Sequence, residues 1–214
     1  MYKKKPFFIV FEGVEGCGKS YQSKKLFKNL KKNNVKTILT REPGGTKSSE
    51  LIRNLILKDY FNKDNKNKFD KYTDTLLYLA ARNEHIKNKI KPALLQKKVV
   101  ICDRFTDSTL AYQVYGKKVD LSFIKNIHKK ILGKIKPNLV FILIVSKKSS
   151  MNRLKKRRSK NRYDNFAQSF YTKAQQSFLK IAKNKKNYFV FDSSSNDNSL
   201  EKKIFNIVNR YLVI

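Results

Sequence analysis

The chain has 214 residues, 49 of them lysine or arginine against 16 aspartate or glutamate, for a formal net charge of +33 at pH 7. That length suits one domain with a substantial core. Two cysteines, Cys17 and Cys102, exclude a disulfide framework, and no apolar run approaches the ~18 residues of a membrane span.

Three readings of the charge remain: a nucleic-acid binder, a membrane-surface binder, or an enzyme of anionic substrates with a lysine-biased surface. The basic residues recur in nearly every polar segment, mixed with asparagine and isoleucine. That pattern fits an A/T-rich coding bias better than a dedicated nucleic-acid face, so no specific nucleic-acid or membrane partner is expected. A field this positive should still attract polyanions nonspecifically. Met1-Tyr2-Lys3-Lys4-Lys5-Pro6 leads straight into a short predicted strand, so no signal peptide is expected. With so few cysteines, a cytoplasmic protein is expected.

Phe7 to Phe11 has strand character and ends in a loop with glycines at Gly13, Gly16 and Gly18; Lys19-Ser20 then opens a helical pattern through Leu26 and Leu30. Gly13-Val14-Glu15-Gly16-Cys17-Gly18-Lys19-Ser20 is therefore G-x-x-x-x-G-K-[ST] between a strand and a helix. Backbone N–H groups can converge on phosphate oxygens only where side chains are absent, and a helix N-terminus adds donors and a favourable dipole. Lys19 would reach β- and γ-phosphates, and the Ser20 hydroxyl would coordinate Mg²⁺. In this loop the Cys17 thiol is simply a small residue.

Val35 to Thr40 is a second predicted strand, followed by the turn Arg41-Glu42-Pro43-Gly44-Gly45-Thr46. Glu50 to Leu57 reads as a helix, and Asn62 to Lys68 as a solvated loop. Asp74 to Leu95 is a long helical pattern in which Pro92 makes a kink or begins a last turn. Val99 to Cys102 is a buried strand running into Asp103-Arg104, with helical stretches near Asp107–Tyr115 and Leu121–Leu132. Leu139 to Val145 is the most apolar strand and is expected to be central. Lys147 to Arg162 is basic throughout, Phe166 to Ala182 helical, Tyr188 to Asp192 a fifth strand, and Leu200 to Leu212 a closing amphipathic helix.

Five strands alternating with helices predict an α/β fold with a parallel sheet covered on both faces. Ligands bind at the carboxyl ends of such strands. Those ends carry Gly13–Ser20, Arg41-Glu42, Asp103-Arg104 and Asp192.

Four segments in order resemble the thymidylate kinase family: Phe11–Ser20, Thr40–Thr46 (T-R-E-P-G-G-T), Leu76–Arg82 (L-L-Y-L-A-A-R) and Asp103–Gln113 (D-R-F-T-D-S-T-L-A-Y-Q). The first alone says only P-loop; the second and fourth together are far more specific. The resemblance implies a P-loop nucleoside monophosphate kinase fold with a basic lid at about residues 147–165. It implies the reaction ATP + dTMP → ADP + dTDP with Mg²⁺, and a homodimer.

Residue by residue, Arg41 matches the arginine that holds the dTMP phosphate, Tyr78 the aromatic that stacks on thymine, and Arg82 an arginine facing the acceptor. Ser108, Thr109 and Tyr112 fall on the acceptor side, Tyr112 beside C2′ of the sugar. Asp103 and Arg104 match the pair at the metal and the transferring phosphoryl group, and Glu15 the carboxylate near the acceptor sugar. Plainer readings stand beside these. Arg41 could be a surface turn residue, Tyr78 or Tyr112 ordinary core, Arg82 a solvated helix residue, and Asp103 a helix cap.

The basic run carries Lys147, Lys148, Arg153, Lys155, Lys156, Arg157, Arg158, Lys160 and Arg162 without an acidic residue. It reads either as a solvated basic helix or as a lid over ATP that needs an anion to order. Some family members carry an arginine inside the phosphate loop, others glycine there and a basic lid; Gly16 with this run resembles the second, mainly bacterial, type. Arg153 and Arg162 are the first candidates for reaching the phosphates. Departures from the family pattern are Glu15 for aspartate, Asn161 before Arg162, and Lys173 and Gln175 where arginines are frequent. Rival readings are a kinase of another nucleoside monophosphate and a nucleic-acid-stimulated ATPase.

Overall fold

The computed structural model describes residues 5–58, 69–156, 168–195 and 199–212. The expected loop at Asn62–Lys68 and most of the distal basic run, with Arg157, Arg158, Lys160 and Arg162, lie outside the described residues.

Five strands form one parallel sheet: β1 (Phe7–Gly13), β2 (Thr37–Arg41), β3 (Val99–Asp103), β4 (Leu139–Ile144) and β5 (Tyr188–Asp192), in the order β2-β3-β1-β4-β5. Every residue of β1 is buried, as strands covered on both faces must be. Alternation sends Phe7 towards Tyr211 on one face, with ring centroids 6.4 Å apart, and Phe8 against Phe105 on the other, at 5.0 Å. The expectation of a central Leu139–Val145 strand is corrected. β1 takes the middle and β4 lies beside it. Apolar content reports burial on both faces, which the three interior strands β3, β1 and β4 share, and connectivity decides which is central.

The helices are α1 (Lys19–Lys32), α2 (Lys47–Leu57), α3 (Lys71–His85), α4 (Lys91–Leu95), α5 (Thr106–Thr109), α6 (Leu121–Leu132), α7 (Lys147–Lys155), α8 (Gln168–Ala182) and α9 (Ser199–Leu212). Local chemistry sets several starts. The Thr46 hydroxyl accepts from the Ser49 N–H, Asp70 caps Tyr72 and Thr73, Asp120 caps Phe123, and Ser146 caps Ser149.

The long helix expected over Asp74–Leu95 begins three residues earlier, at Lys71, and is interrupted by a π-helical turn at Ile86–Ile90. There the Lys91 N–H reaches back to Ile86. Pro92 supplies no N–H and crowds the carbonyl four residues before it, so widening the turn is the accommodation. A second π-helical segment, Leu110–Gly116, continues α5 and packs on α8. No helix among the described residues is long and apolar enough to cross a membrane.

Candidate active site

The sheet register places the polar strand ends side by side. Asp103 pairs with Phe11 of β1 and with Arg41 of β2, so the phosphate loop, Asp103 and Arg41 follow one another across three adjacent strands. They border a single cleft of about 540 Å³, lined also by Glu15, Arg53, Tyr78, Arg82, Arg104, Ser108, Thr109, Tyr112, Gln113 and Arg153. That size suits small-molecule ligands.

Two glycines of the loop are required sterically. A Cβ on Gly13 would lie 2.3 Å from the Leu143 carbonyl oxygen, and one on Gly16 2.8 Å from that of Ser150 in α7; both residues have positive φ, 139° and 72°. Val14 and Cys17 are buried beneath the loop. The Lys19 ammonium bends over it, donating to the Val14 carbonyl at 2.7 Å and lying 3.5 Å from the Cys17 sulfur.

The Ser20 hydroxyl donates to Asp103 Oδ2, while Asp103 Oδ1 is buried with no hydrogen-bond partner. A hydroxyl beside a carboxylate with an orphaned oxygen, at the edge of a phosphate loop, is the donor set a hard divalent cation takes when phosphates complete its shell. Among the described residues no three His, Cys, Asp or Glu side chains form a metal cage, and such a site needs none.

Arg104 has φ 74°, a left-handed conformation seldom adopted by non-glycine residues. Its guanidinium donates to the Gly13 carbonyl at 2.9 Å, to the Ser108 hydroxyl at 3.1 Å and to Glu15 Oε1 at 2.7 Å. It also lies 5.2 Å from the centre of the Tyr112 ring. Tyr112 donates its hydroxyl to Glu15 Oε2 at 2.6 Å. Burial alone would raise the Glu15 pKa, but Arg104, Lys19 and the Tyr112 hydroxyl outweigh it and hold the carboxyl below its usual value. Tyr112 lines the cleft, and its ring packs on Phe170 and Phe178, with centroids 5.7 and 6.2 Å away, as the core reading expects.

On the other side of the cleft, Arg41 donates to both Glu50 oxygens at 3.2 and 3.1 Å. Arg53, which sequence reasoning missed, donates to the Pro43 carbonyl at 2.6 Å and stands 4.0 Å from Glu50. Its signal was its position on the cleft-facing side of a helix that begins just after the Arg41 turn. Tyr78 is half-buried in the cleft wall.

Arg82 is buried, which rules out the solvated-helix reading. It is a hub, donating to Glu42 at 2.7 Å, Thr109 at 2.7 Å, His128 at 2.8 Å and the Phe105 carbonyl at 2.8 Å. Four of its five N–H donors are thus used within the protein. His85 supports the hub, bonding Glu42 at 3.1 Å and Thr40 at 2.6 Å. Burial works to raise the Glu42 pKa, but Arg82 and His85 bring it below its usual value.

Arg153 lies between the main cleft and a neighbouring pocket of about 340 Å³ formed with Cys17, Tyr21, Gln22, Ser193 and Leu200. It donates to the Gly16 carbonyl at 3.1 Å and the Ser193 carbonyl at 2.6 Å, and so ties the phosphate loop to the end of β5. Asp192 accepts from the Ser194 N–H at 2.8 Å and does not line the cleft. Gln175, a departure from the family pattern, grips both backbone groups of Val145 just before α7, at 3.0 and 3.3 Å. Arg162 lies outside the described residues.

The family model for thymidylate kinase matches residues 11–204. The thymidylate kinase of Wolbachia pipientis wMel is 44% identical over 179 residues, covering 82% of this chain and 84% of its own. That of Aster yellows witches'-broom phytoplasma is 41% identical over 209 residues, covering 96% of each. The crystal structure of thymidylate kinase from Ehrlichia chaffeensis superposes with a TM-score of 0.74 at 32% identity, covering 95% of this chain and 99% of that one. With the phosphate loop, the paired arginines and the orphaned aspartate oxygen gathered on one cleft, these matches show that the chain belongs to the thymidylate kinase family, ATP-dependent phosphotransferases that convert dTMP to dTDP.

Proposed function

We propose that the cleft carries out this reaction with the donor at the phosphate loop and the acceptor at Arg41. The observation that carries the reading is the strand register. Asp103 lies one strand from the strand that leads into the loop and one from Arg41, which sets Arg41 two strands, or roughly 10 Å at ordinary strand spacing, from that strand. Lys19 and the loop amides hold the ATP β- and γ-phosphates. Arg41, with Arg53 beside it, holds the dTMP phosphate, and Arg104 lies between them to neutralise the transferring group. Such transfer depends on alignment and charge neutralisation.

Ser20 and Asp103 would hold Mg²⁺, which when bound supplies positive charge to the phosphate oxygens. Tyr78 offers its ring to thymine. Gln113, also absent from the sequence-based assignment, has a buried side-chain N–H₂ with no hydrogen-bond partner; it and the remaining Arg82 donor suit the carbonyl edge of a pyrimidine. Ser108 and Thr109 support Arg104 and Arg82 respectively. Glu15, held by Arg104 and Tyr112, bounds the sugar site. Arg153, and Arg162 beyond the described residues, are the lid cations of this reading.

The enzyme acts in this proposal as a cytoplasmic homodimer. Its two cysteines are free and buried, which suits a reducing compartment. The packed pair α2 and α3 exposes Leu51 (69%), Leu55 (44%) and Leu76 (48%), an apolar surface of the kind buried between subunits. A Leu51→Glu variant that stays dimeric by light scattering would argue against this face.

The catalytic reading is tested by coupled ADP release with a panel of nucleoside monophosphates, with and without DNA. Highest kcat/KM for dTMP, unaffected by DNA, is expected. A different preferred acceptor, or DNA-stimulated hydrolysis without one, overturns it.

A further inference from the structure

Glu12 stands at the end of β1, fully buried, and is not part of the cleft wall. Its carboxyl accepts from the Phe105 N–H at 2.8 Å, the Ser108 N–H at 3.2 Å and the Ser108 hydroxyl at 2.6 Å. These donors lie just beyond Arg104, the residue with the left-handed backbone. Such a conformation persists only where its surroundings over-determine it. The Arg104 N–H donates to the Phe11 carbonyl at 2.8 Å, immediately before Glu12, so both ends of the turn are tied to the same strand. The Ser108 hydroxyl that donates to Glu12 also accepts from Arg104 Nη1 at 3.1 Å. An unbroken path therefore runs from a core carboxyl, through one hydroxyl, to the guanidinium on the cleft.

An apolar side chain would fill this core position without the cost of burying a carboxyl. What it could not do is align three donors of the Arg104–Ser108 turn. We propose that Glu12 is a positioning residue for Arg104, holding the guanidinium in register with the transferring phosphoryl group while touching neither nucleotide. The proposal rests on the role given to Arg104 above, and predicts a defect in turnover rather than in ATP binding.

The test is steady-state kinetics in both substrates for Glu12→Ala, Arg104→Ala and the double variant, with the melting temperature of each. Glu12→Ala should lower kcat about ten- to a hundredfold, the scale of a small misplacement of a reacting group, and leave KM for ATP within about twofold. The double variant should be within about twofold of Arg104→Ala, because a residue acting only through Arg104 then has nothing left to act on. Losses that multiply, or a lowered melting temperature with unchanged kcat, overturn the proposal and leave Glu12 a structural tie. If Arg104→Ala itself keeps the parent kcat, the role of Arg104 falls and this proposal falls with it. Should Glu12→Ala fail to fold, the same cycle run with Glu12→Asp, which draws the carboxyl back by one methylene, is decided by the same outcomes.

Discussion

The Lys19 ammonium donates to the carbonyl of Val14, 2.7 Å away, in its own loop. The loop's cation is thus satisfied internally, and in its proposed role exchanges that carbonyl for phosphate oxygens when a nucleotide binds. Lys19→Ala should therefore change stability little but lower kcat by on the order of 10²-fold or more, the scale for loss of one preorganised electrostatic donor. Near-normal turnover in a coupled assay would remove the basis for the phosphate-loop reading.

Arg41 and Arg153 should separate the two substrates. Arg41 is half-exposed and, among the described residues, tied only to Glu50, so Arg41→Ala should raise KM for dTMP about tenfold or more and leave KM for ATP unchanged. Arg153 braces the carbonyls of Gly16 and Ser193. Losing charge-assisted bonds of this kind costs about 1.5–3 kcal/mol, so Arg153→Ala should raise KM for ATP by roughly tenfold or more, with KM for dTMP unaffected. The two series are measured at saturating co-substrate. Identical patterns would mean that the cleft is not divided as assigned.

Tyr112 joins Glu15, on the proposed sugar site, to α8 through its hydroxyl and its ring. Tyr112→Phe keeps the ring and should alter stability by about 1 kcal/mol. Tyr112→Ala opens a cavity and should cost about 3–5 kcal/mol. If the ring excludes a 2′-hydroxyl, discrimination between dTMP and its ribonucleotide should be roughly ten- to two-hundredfold, retained in the Phe variant and narrowed in the Ala variant. Equal loss of both activities in Tyr112→Ala would assign sugar selection elsewhere, with Glu15 next.

Stability should fall as pH rises above neutrality. Burial, reinforced by the charge of Asp107, pushes the Glu12 carboxyl up to about 8. The folded state therefore holds a proton that the unfolded chain releases near 4.5, and the stability linked to it is lost as pH climbs through 8. His128 acts in the opposite sense. Burial and Arg82 push its pKa down to about 3, so stability is lost as pH falls below 6.5. Urea midpoints should decline between about pH 6.5 and 8.5, and Glu12→Gln should flatten that decline. An unchanged slope in the variant would assign it to other groups.

The strands were legible because each is a short apolar run, and Lys19, Asp103 and Arg104 because they sit where such runs end. The hubs were not legible. Glu12 meets Ser108 across 96 positions and Glu42 meets Arg82 across 40, and no local pattern records either meeting. One signal was present: a carboxyl inside a strand that is otherwise fully apolar must find hydrogen-bond partners somewhere. Arg82 was read as facing solvent or substrate because a helix pattern gives its face but not its partners. The interruption at Ile86–Ile90 was signalled by Pro92, though not its form.

Gly16 and Arg153 turn out to be one choice rather than two. Any side chain at position 16 would collide with the backbone of Ser150, one turn before Arg153 on the same helix. A loop that carried its own arginine there would have to push away the helix that carries Arg153, the cation of the proposed lid. An arginine at position 16 and the observed seat of Arg153 are therefore sterically exclusive in this chain, and grafting one there would have to be accompanied by rebuilding the helix above it.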